Sequence, residues 1–587
     1  MTREWLEADG QGGFAMGTAD GIRTRRYHAL LCAAMQPPDD RRVLVADLEV
    51  FVETAAGKFP LSSHRYRGDV VYPKERGDFT HVPWPKSTWT FGDVTIAGEI
   101  VVEPGAARVA LRWTKLAGGH ARMFVRPLLA SRGYHELQRE HASWRFDAVI
   151  AGSDVTWQPH DVTIAARSNG RYDHAPDWYR NFVYLDERER GLDFEEDLAT
   201  PGMFVFDLAQ PAQLAFATRI ADLDLEPWSR EQARRAAFPS ELARAASQYI
   251  ACGKTVIAGY PWFGCWGRDT FISLRGLCLA TGRRDVAKQI LHTWARAIDR
   301  GMLPNRFGDR DGVAEYNSVD SALWFVIAAD AYGRDPVLDE AIAAIVGGYT
   351  TGTRHRIGQT PDGLLACGEP GIQLTWMDAK LDAECITPRI GKPVEVQALW
   401  INALKIAGRD IAAAKAAFVA RFWDPARGYL ADVVDCDHVA GAIDASLRPN
   451  QLFAVGGLPL ALVDGDIARA VVETCERALW TPAGPRSLAE RDPKYRGRYF
   501  GGVASRDRAY HQGTVWPWLA GAFHDAYVRV HGDRAAAHAK FIAPLLARTN
   551  IAGLGHISEI CDGDPPHRAV GCPFQAWSVA ELLRSGT

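Results

Sequence analysis

Hydrophobic positions along this chain change their period once. Through roughly the first 220 residues they come in short runs rich in Val, Ile, Phe and Thr. These are VLVADLEVFVE from Val43, DVTIAGEIVVE from Asp93, RVALRWTKL from Arg108, DVTIAARS from Asp161 and MFVFDL from Met203. Gly, Pro and Asp turns separate the runs, and many short strands with little helix between them predict a β-sandwich. From about Glu231 the apolar residues recur at three- and four-residue steps instead. ELARAASQYIA, RDVAKQILHTWARAI and RDIAAAKAAFVARF keep polar residues between those steps, as helices that bury one face do. Twelve helices are expected, beginning near Glu231, Gly267, Arg284, Asn317, Pro336, Lys392, Asp410, Asn450, Gly465, Gly513, Arg534 and Phe574. The expected domains are therefore a β-sandwich over 1–228 and a helical domain over 229–587.

Every second helix of that series follows a dense polar-aromatic stretch. The stretches are WFGCWGRDT, NRFGDRDGVAEYNSVD, TWMDAKLDAECITPRIGKPVE, LRPNQ, DRAYHQGTVWPW and GCPFQAWS. They recur at roughly 50–70-residue intervals, as in an architecture of repeated helical pairs. The remaining helices have plain charged starts and read as an outer layer. If the inner helices run parallel around an axis, all the stretches meet at one end of it and build a single pocket. The expected fold is an N-terminal β-sandwich followed by a six-fold α/α barrel of twelve helices. Unrelated caps on a helical solenoid would leave the tryptophans, arginines and carboxylates of those stretches without a reason.

Composition narrows the function. Of 587 residues 47% are hydrophobic and 24% charged, with a net charge of −4. So small a charge predicts neither nucleic acid nor an anionic membrane as partner. No run of apolar residues is long enough to span a bilayer, and MTREWLEADGQGG lacks the basic and apolar regions of a signal peptide. Ten cysteines stand singly without a C-x-x-C pair, which fits reduced thiols in a cytoplasm better than a disulfide scaffold or a zinc site. Without H-E-x-x-H or histidines at ligand spacing, no metal and no cofactor is expected. No G-x-S-x-G elbow supports acyl transfer. GQGGFAMGT has no evident strand before it and no βαβ pattern after it, so it reads as a tight loop rather than a dinucleotide fingerprint. CGKT at Cys252 has Gln248 where a phosphate loop needs glycine.

What the stretches do carry is acids, aromatics and neutral hydrogen-bonding groups, the residue types that carbohydrate chemistry uses. Pyranose C–H faces stack on indoles, and sugar hydroxyls bind carboxylates, amides and arginines. Cleaving a glycosidic bond takes one protonated carboxyl and one carboxylate. Asp378 is the acid candidate, because Trp376 and Met377 flank it and apolar walls favour the neutral form. Asp382 and Glu384 lie in a more polar run and read as solvated. Glu395 falls on a helix start, where the dipole favours negative charge with or without a sugar nearby. Asp320 and Asp269 share that ambiguity. In GHISEICDG, Glu559 and Asp562 both precede the last inner helix, and spacing does not choose between them.

These motifs resemble a known family. WLEADGQGGFAMGTADGIRTRRYHALL resembles the N-terminal signature of the bacterial and archaeal glycogen debranching enzymes. GYPWFGCWGRDTFISLRG, EYNSVDSALWF, TWMDA…TPRIGKPVE, AYHQGTVWPW, HISE and GCPFQAWS resemble their C-terminal domain, in the same order. The resemblance implies a β-sandwich, an α/α barrel and an inverting amylo-α-1,6-glucosidase acting on branched α-glucan: glycogen, limit dextrin and malto-oligosaccharides. It makes Asp378 the acid and Glu559 the base. It puts Trp266, Arg268, Asp269, Asp320, Trp376, Arg389, Glu395, His511, Gln512, Trp516, Gln575 and Trp577 at positions that line the sugar site. Where many relatives have a glycine and a proline, this chain has Ala383, Glu384 and Cys385, so the loop after Asp378 is expected to differ in shape. The glucanotransferase domain of the large eukaryotic enzymes has no counterpart here, and that activity is not implied. Two other readings remain at this stage: a glucoamylase- or trehalase-like hydrolase on the same barrel, and a non-catalytic glucan-binding protein.

Overall fold

The structure, a computed structural model, describes residues 3–72, 77–308 and 312–586. Residues 309–311, inside the NRFGDRDGVAEYNSVD stretch, lie outside the described residues. The chain divides into two compact units, Met1–Arg244 with Ile551–Leu554, and Ala245–Asn550 with Gly555–Thr587.

The first unit is built on two antiparallel sheets. One runs in the order Glu4–Ala8, Phe14–Thr18, Ala29–Gln36, Asp39–Thr54, Ala121–Gly133, Glu195–Asp207, Arg171–Val183, His64–Tyr66 and Val70–Tyr72, with Gly57–Pro60 beside Asp39–Thr54. The other runs Ala148–Ala151, Asp154–Trp157, Ile164–Ser168, Ala212–Ala217, Arg108–Ala117, Val94–Val101, Lys86–Phe91 and Asp78–Thr80. Val45, Val125 and Phe204 of the first sheet share one hydrophobic core with Ile96, Leu111 and Phe216 of the second. Alternate residues of both sheets thus point to a common interior, as in the layers of a sandwich.

Two expectations change in this unit. A strand does precede the glycine-rich opening: Glu4–Ala8 pairs with Phe14–Thr18 in a hairpin, and only the turn between them is loop. Gly12 in that turn has φ +101°, a left-handed backbone that glycine adopts without a Cβ penalty. The helix expected near Glu231 spans Trp228–Ala236 and goes with the first unit. Arg235 pairs with Glu7 at 2.5 Å, and the Trp228 ring meets Trp84 edge-on at 5.7 Å. The division therefore falls later in the chain than the expected 228/229.

In the second unit, helices alternate between two kinds of burial. Asp320–Tyr332 is buried all round from Asp320 to Ala329, and Val394–Ile406 from Val394 to Leu404. Arg284–Ala295 buries only the stripe Ala287, Ile290, Leu291 and Trp294, the pattern of an outer helix. Among the buried elements, Gly267–Leu274 packs on Asp320–Tyr332, and that helix packs on Val394–Ile406. Val394–Ile406 meets the 3₁₀ turn Pro449–Ala454, which meets Ala520–His531. Ala520–His531 packs on Ala576–Gly586, which in turn packs on Gly267–Leu274.

The helix expected near Asn450 is this short 3₁₀ turn. Gly456 and Gly457 follow at once, and a Cβ on Gly456 would stand 2.2 Å from the Ala526 nitrogen. The helix expected from Gly513 begins at Ala520, after a 3₁₀ turn at Pro517–Leu519. Near Arg534 the helix is interrupted by a π-helical segment, His538–Ile542. Val503–Tyr510 forms a helix that the periodicity did not predict.

Candidate active site

Short loops before the buried helices of the second unit enclose a cavity of about 470 Å³. Trp266, Arg268 and Asp269 reach it from the start of Gly267–Leu274, and Trp376 and Asp378 from the loop before Val394–Ile406. Tyr510 and Trp516 come from the DRAYHQGTVWPW stretch, Glu559 from HISE, and Gln575 and Trp577 from the last helix start.

The Asp378 loop is braced on several sides. Thr387 donates to the Met377 carbonyl at 2.7 Å, and Gln373 donates to the Ala379 carbonyl at 2.9 Å. The Ala379 N–H points to His511 Nδ1 at 3.4 Å. One oxygen of Asp378 accepts from Arg268 Nη1 at 3.2 Å. Arg268 Nε is forked onto both Asp320 oxygens at 2.8 Å, and Ser318 donates to Asp320 at 2.7 Å. The Asp378 side chain keeps 29% exposure, so it can reach a ligand in the cavity. Burial raises its pKa above the ordinary 3.8; Arg268 opposes that rise and Asp320 adds to it.

Glu559 is held differently. The Tyr510 hydroxyl donates to Oε1, and the Cys572 N–H donates to Oε2 at 3.0 Å. Two donors onto one carboxyl suit its ionised, acceptor-only form. Gly571 makes room for it: with φ +68°, a Cβ there would stand 2.5 Å from Glu559 Oε2. Asp562 is set apart, paired with Arg568 at 2.8 Å and capping the Tyr499 N–H at 2.8 Å. The structure thus separates the two acids that spacing left open.

A third carboxyl lies beside these two. Asp269 is buried, and burial pushes its pKa up to about 8; Arg268 opposes this, while the charges of Asp378 and Glu559 push the same way. Its Oδ1 faces Gln575 Nε2 at 3.4 Å.

Nine of the expected positions line the cavity: Trp266, Arg268, Asp269, Trp376, Asp378, Trp516, Glu559, Gln575 and Trp577. Five others support it from behind. Asp320 anchors Arg268. Arg389 pairs with Glu395 and with Asp432 at 2.9 Å, and Asn450 joins that network through Asp432 at 2.8 Å while accepting from Trp376 Nε1 at 2.8 Å. His511 stacks on Trp516 with ring centroids 5.0 Å apart, and burial drives its pKa well below the ordinary imidazole value. Gln512 accepts from Arg448 at 2.7 Å. The LRPNQ stretch thus underpins the wall rather than lining it.

Sequence reasoning missed Tyr510, Asn305 and Asn317, all of which line the cavity. Each stands inside a stretch already marked as pocket-forming, and that position was the available signal. Among the described residues, the Oδ1 atoms of Asn305 and Asn317, Gln575 Oε1 and Trp577 Nε1 are buried without a hydrogen-bond partner, as suits groups that wait for a hydroxylated ligand. Asp382 and Glu384 are exposed as expected; Glu384 pairs with Arg508 at 2.6 Å at the surface.

A carboxyl whose pKa burial raises and a carboxylate held by two donors, in one aromatic-walled cavity, can supply a general acid and a general base. Comparison with known proteins agrees with this chemistry. Residues 240–584 match the family described as amylo-alpha-1,6-glucosidase, and residues 3–215 match the glycogen debranching enzyme N-terminal family. The chain belongs to the glycogen debranching enzyme family. The glycogen debranching enzyme of Saccharomyces cerevisiae is 25% identical over 478 residues, which are 58% of this chain and 31% of that protein. The chain thus spans about a third of the length of that relative. Among solved structures, a bacterial glucoamylase complexed with acarbose superposes over 99% of this chain and 94% of its own, with a TM-score of 0.58 at 13% identity. That likeness concerns the fold: a β-rich N-terminal part and a helical C-terminal part of glucoamylase type. Among the described residues, no helix is long and apolar enough to cross a membrane.

Proposed function

We propose that the chain is an inverting glycoside hydrolase that removes α-1,6-linked glucose stubs from branched α-glucan such as glycogen or limit dextrin. Asp378 protonates the leaving oxygen, and Glu559 takes a proton from the attacking water. The observation that carries this reading is the pair itself: Asp378 and Glu559 share one cavity, Asp378 where burial raises its pKa and Glu559 where two donors suit a carboxylate. The circuit of packed helices supports a closed six-fold α/α barrel, with loops from distant parts of the chain gathered at one end. Trp266, Trp376, Trp516 and Trp577 form aromatic walls, and Asp269, Asn305, Asn317 and Gln575 offer groups to sugar hydroxyls. A non-catalytic glucan binder would need neither carboxyl as an acid–base pair. Ten free thiols fit a reducing compartment, and a cytoplasmic location is part of the proposal.

The deciding experiment is product analysis on phosphorylase-limit glycogen beside isomaltose, maltose and trehalose. Free glucose from the limit glycogen, with little from maltose or trehalose, is the expected result. Preferential cleavage of maltose or trehalose would overturn the 1,6-linkage assignment, and no glucose from any substrate would overturn the hydrolase.

A further inference from the structure

The cavity of the second unit has a buried floor and a half-buried rim. Arg268, Asp269, Glu559, Gln575 and Trp577 are at most 5% exposed, whereas Trp266, Arg306, Glu315, Asn317 and Asp507 are half-buried. A terminal glucose seated on the floor leaves the rest of a glucan only the rim to pass through. The rim therefore meets the glucosyl unit that carries the leaving oxygen.

The open groups of the rim are of one kind. Arg306 is committed to Glu315 at 2.8 Å and lies over the Trp266 ring at 5.5 Å. Lys380 donates to the Gly371 carbonyl at 3.0 Å. What remains are acceptors. Among the described residues, Asn317 Oδ1 is buried without a hydrogen-bond partner, and the Asp507 side chain makes no hydrogen bond and no ion pair. Burial raises the Asp507 pKa above the ordinary 3.8, and the charge of Arg506 opposes that rise.

Asp507 is fixed in place by its helix, Val503–Tyr510. Asp507 and Tyr510 stand one turn apart on one face; both line the cavity, and the Tyr510 hydroxyl donates to Glu559. Arg508 of the same helix pairs with Glu384 at 2.6 Å. That bond ties the helix to the hairpin of Lys380–Leu381 and Glu384–Cys385, which follows Asp378 in the chain.

We propose that Asp507 binds a hydroxyl of the glucosyl unit on the leaving side, and so selects saccharides over other leaving groups. The inference rests on the hydrolase reading and deepens it. A sugar brings hydroxyl donors to acceptors that lack them, and a hydroxyl bound to a carboxylate makes a charge-assisted hydrogen bond. An anionic leaving group would instead meet Asp507 and Glu315, with the cations of the rim already engaged.

The test compares two substrates of the intact chain. Isomaltose has a glucose as its leaving group; α-glucosyl fluoride has none, because fluoride departs instead. Asp507→Ala should lower kcat/KM for isomaltose by roughly 10–100-fold, the worth of a hydrogen bond to a charged group, and at least tenfold more than for α-glucosyl fluoride. Asp507→Asn keeps the size of the side chain and one acceptor, so it should fall between wild type and Asp507→Ala on isomaltose. It decides the matter if Asp507→Ala does not fold. Maltose replaces isomaltose if the linkage assignment fails, since its leaving group is also a glucose. Equal losses on both substrates would make Asp507 a brace for Tyr510, and no loss on either would make it a solvated acid. Each of those results overturns the inference while the hydrolase stands. A wild-type chain that cleaves none of the three substrates overturns the hydrolase and this inference together.

Discussion

Asp378 and Asp269 stand near the same guanidinium, and their surroundings set how each answers to pH. Asp378→Asn and Glu559→Gln should each lower turnover by roughly 10²–10⁴-fold or more, since each removes general acid or base help. Asp382→Asn, at an exposed turn with φ +52°, should change turnover little; steady-state rates with a melting curve for each variant check all three. Burial is the first cause of the raised Asp378 value, so admitting water should lower it. As the proposed proton donor, Asp378 must be protonated for activity, which should fail as pH rises through its pKa. Trp376→Ala should therefore move the alkaline limb of the kcat profile to lower pH, and an unmoved limb would remove Trp376 from the tuning of Asp378. Asp269 makes a separate prediction about stability. Its folded value of about 8 exceeds its ordinary 3.8, so on raising the pH the unfolded chain loses this proton first. The contribution is complete below about pH 4 and drains away as pH rises toward 8. Asp269→Asn mimics the protonated form, so its melting temperature should gain on wild type steadily between those limits; a constant difference would mean Asp269 is ionised in the folded protein. Asp378 was legible in the sequence because its apolar flanks are adjacent in the chain. Tyr510, Asn305 and Asn317 were not, because what marks them is an orphaned atom or a partner far away in sequence. Arg389 and Glu395 have the residue types of a sugar site, and only the pairing of Arg389 with both Glu395 and Asp432 reveals a supporting role.

Elements were legible where one face repeats and obscure where burial is complete. The outer helix Arg284–Ala295 has a clean apolar stripe, so its start was predicted at Arg284. Inner helices such as Asp320–Tyr332 are buried on every side, and their sequence shows an apolar block with no phase. Their starts were placed a few residues early, at Asn317 and Lys392 rather than Asp320 and Val394, because the polar loop residues before them resemble caps. The Pro449–Ala454 turn was taken for a helix because sequence shows its apolar residues but not the close approach of Gly456 to the Ala520–His531 helix. Glycine at such approaches yields a stability prediction. Gly276, in the π-helical segment Arg275–Leu279, faces the Ala576–Gly586 helix so closely that a Cβ would stand 1.9 Å from the Ala580 carbonyl oxygen. Gly276→Ala must push backbone from backbone, which no side-chain rotation relieves. The cost should be about 1–3 kcal/mol, that of overpacking a core. Denaturant unfolding measures it; a neutral result would mean the two helices are free to separate there.

Across the whole molecule, chain-distant groups work together because the inner elements of the second unit follow one another in a packed circuit. Asp378 and Glu559 come from loops far apart in that order, and each is fixed by its own partners: Arg268 for the one, Tyr510 and the Cys572 N–H for the other. Neither carboxyl needs the other to hold its position. A retaining enzyme needs its carboxyls only about 5–5.5 Å apart, so that one can attack the anomeric carbon; an inverting enzyme spaces them about 6.5–9.5 Å to admit a water. The proposal gives Glu559 the inverting role, that of a base that takes a proton from the attacking water. Hydrolysis of an α-1,6-linked glucose stub should then release β-glucose first, with the α-anomer appearing later by mutarotation. Proton NMR of the anomeric signals during the first minutes of reaction reads this directly. The Tyr510→Phe variant supplies the control, because it removes one donor from Glu559 and should slow turnover roughly tenfold, the worth of one hydrogen bond to a charged group, without changing which anomer appears first. α-Glucose as the first product would mean that Glu559 is not the base of a single displacement, and the assignment of this pair would fall with it.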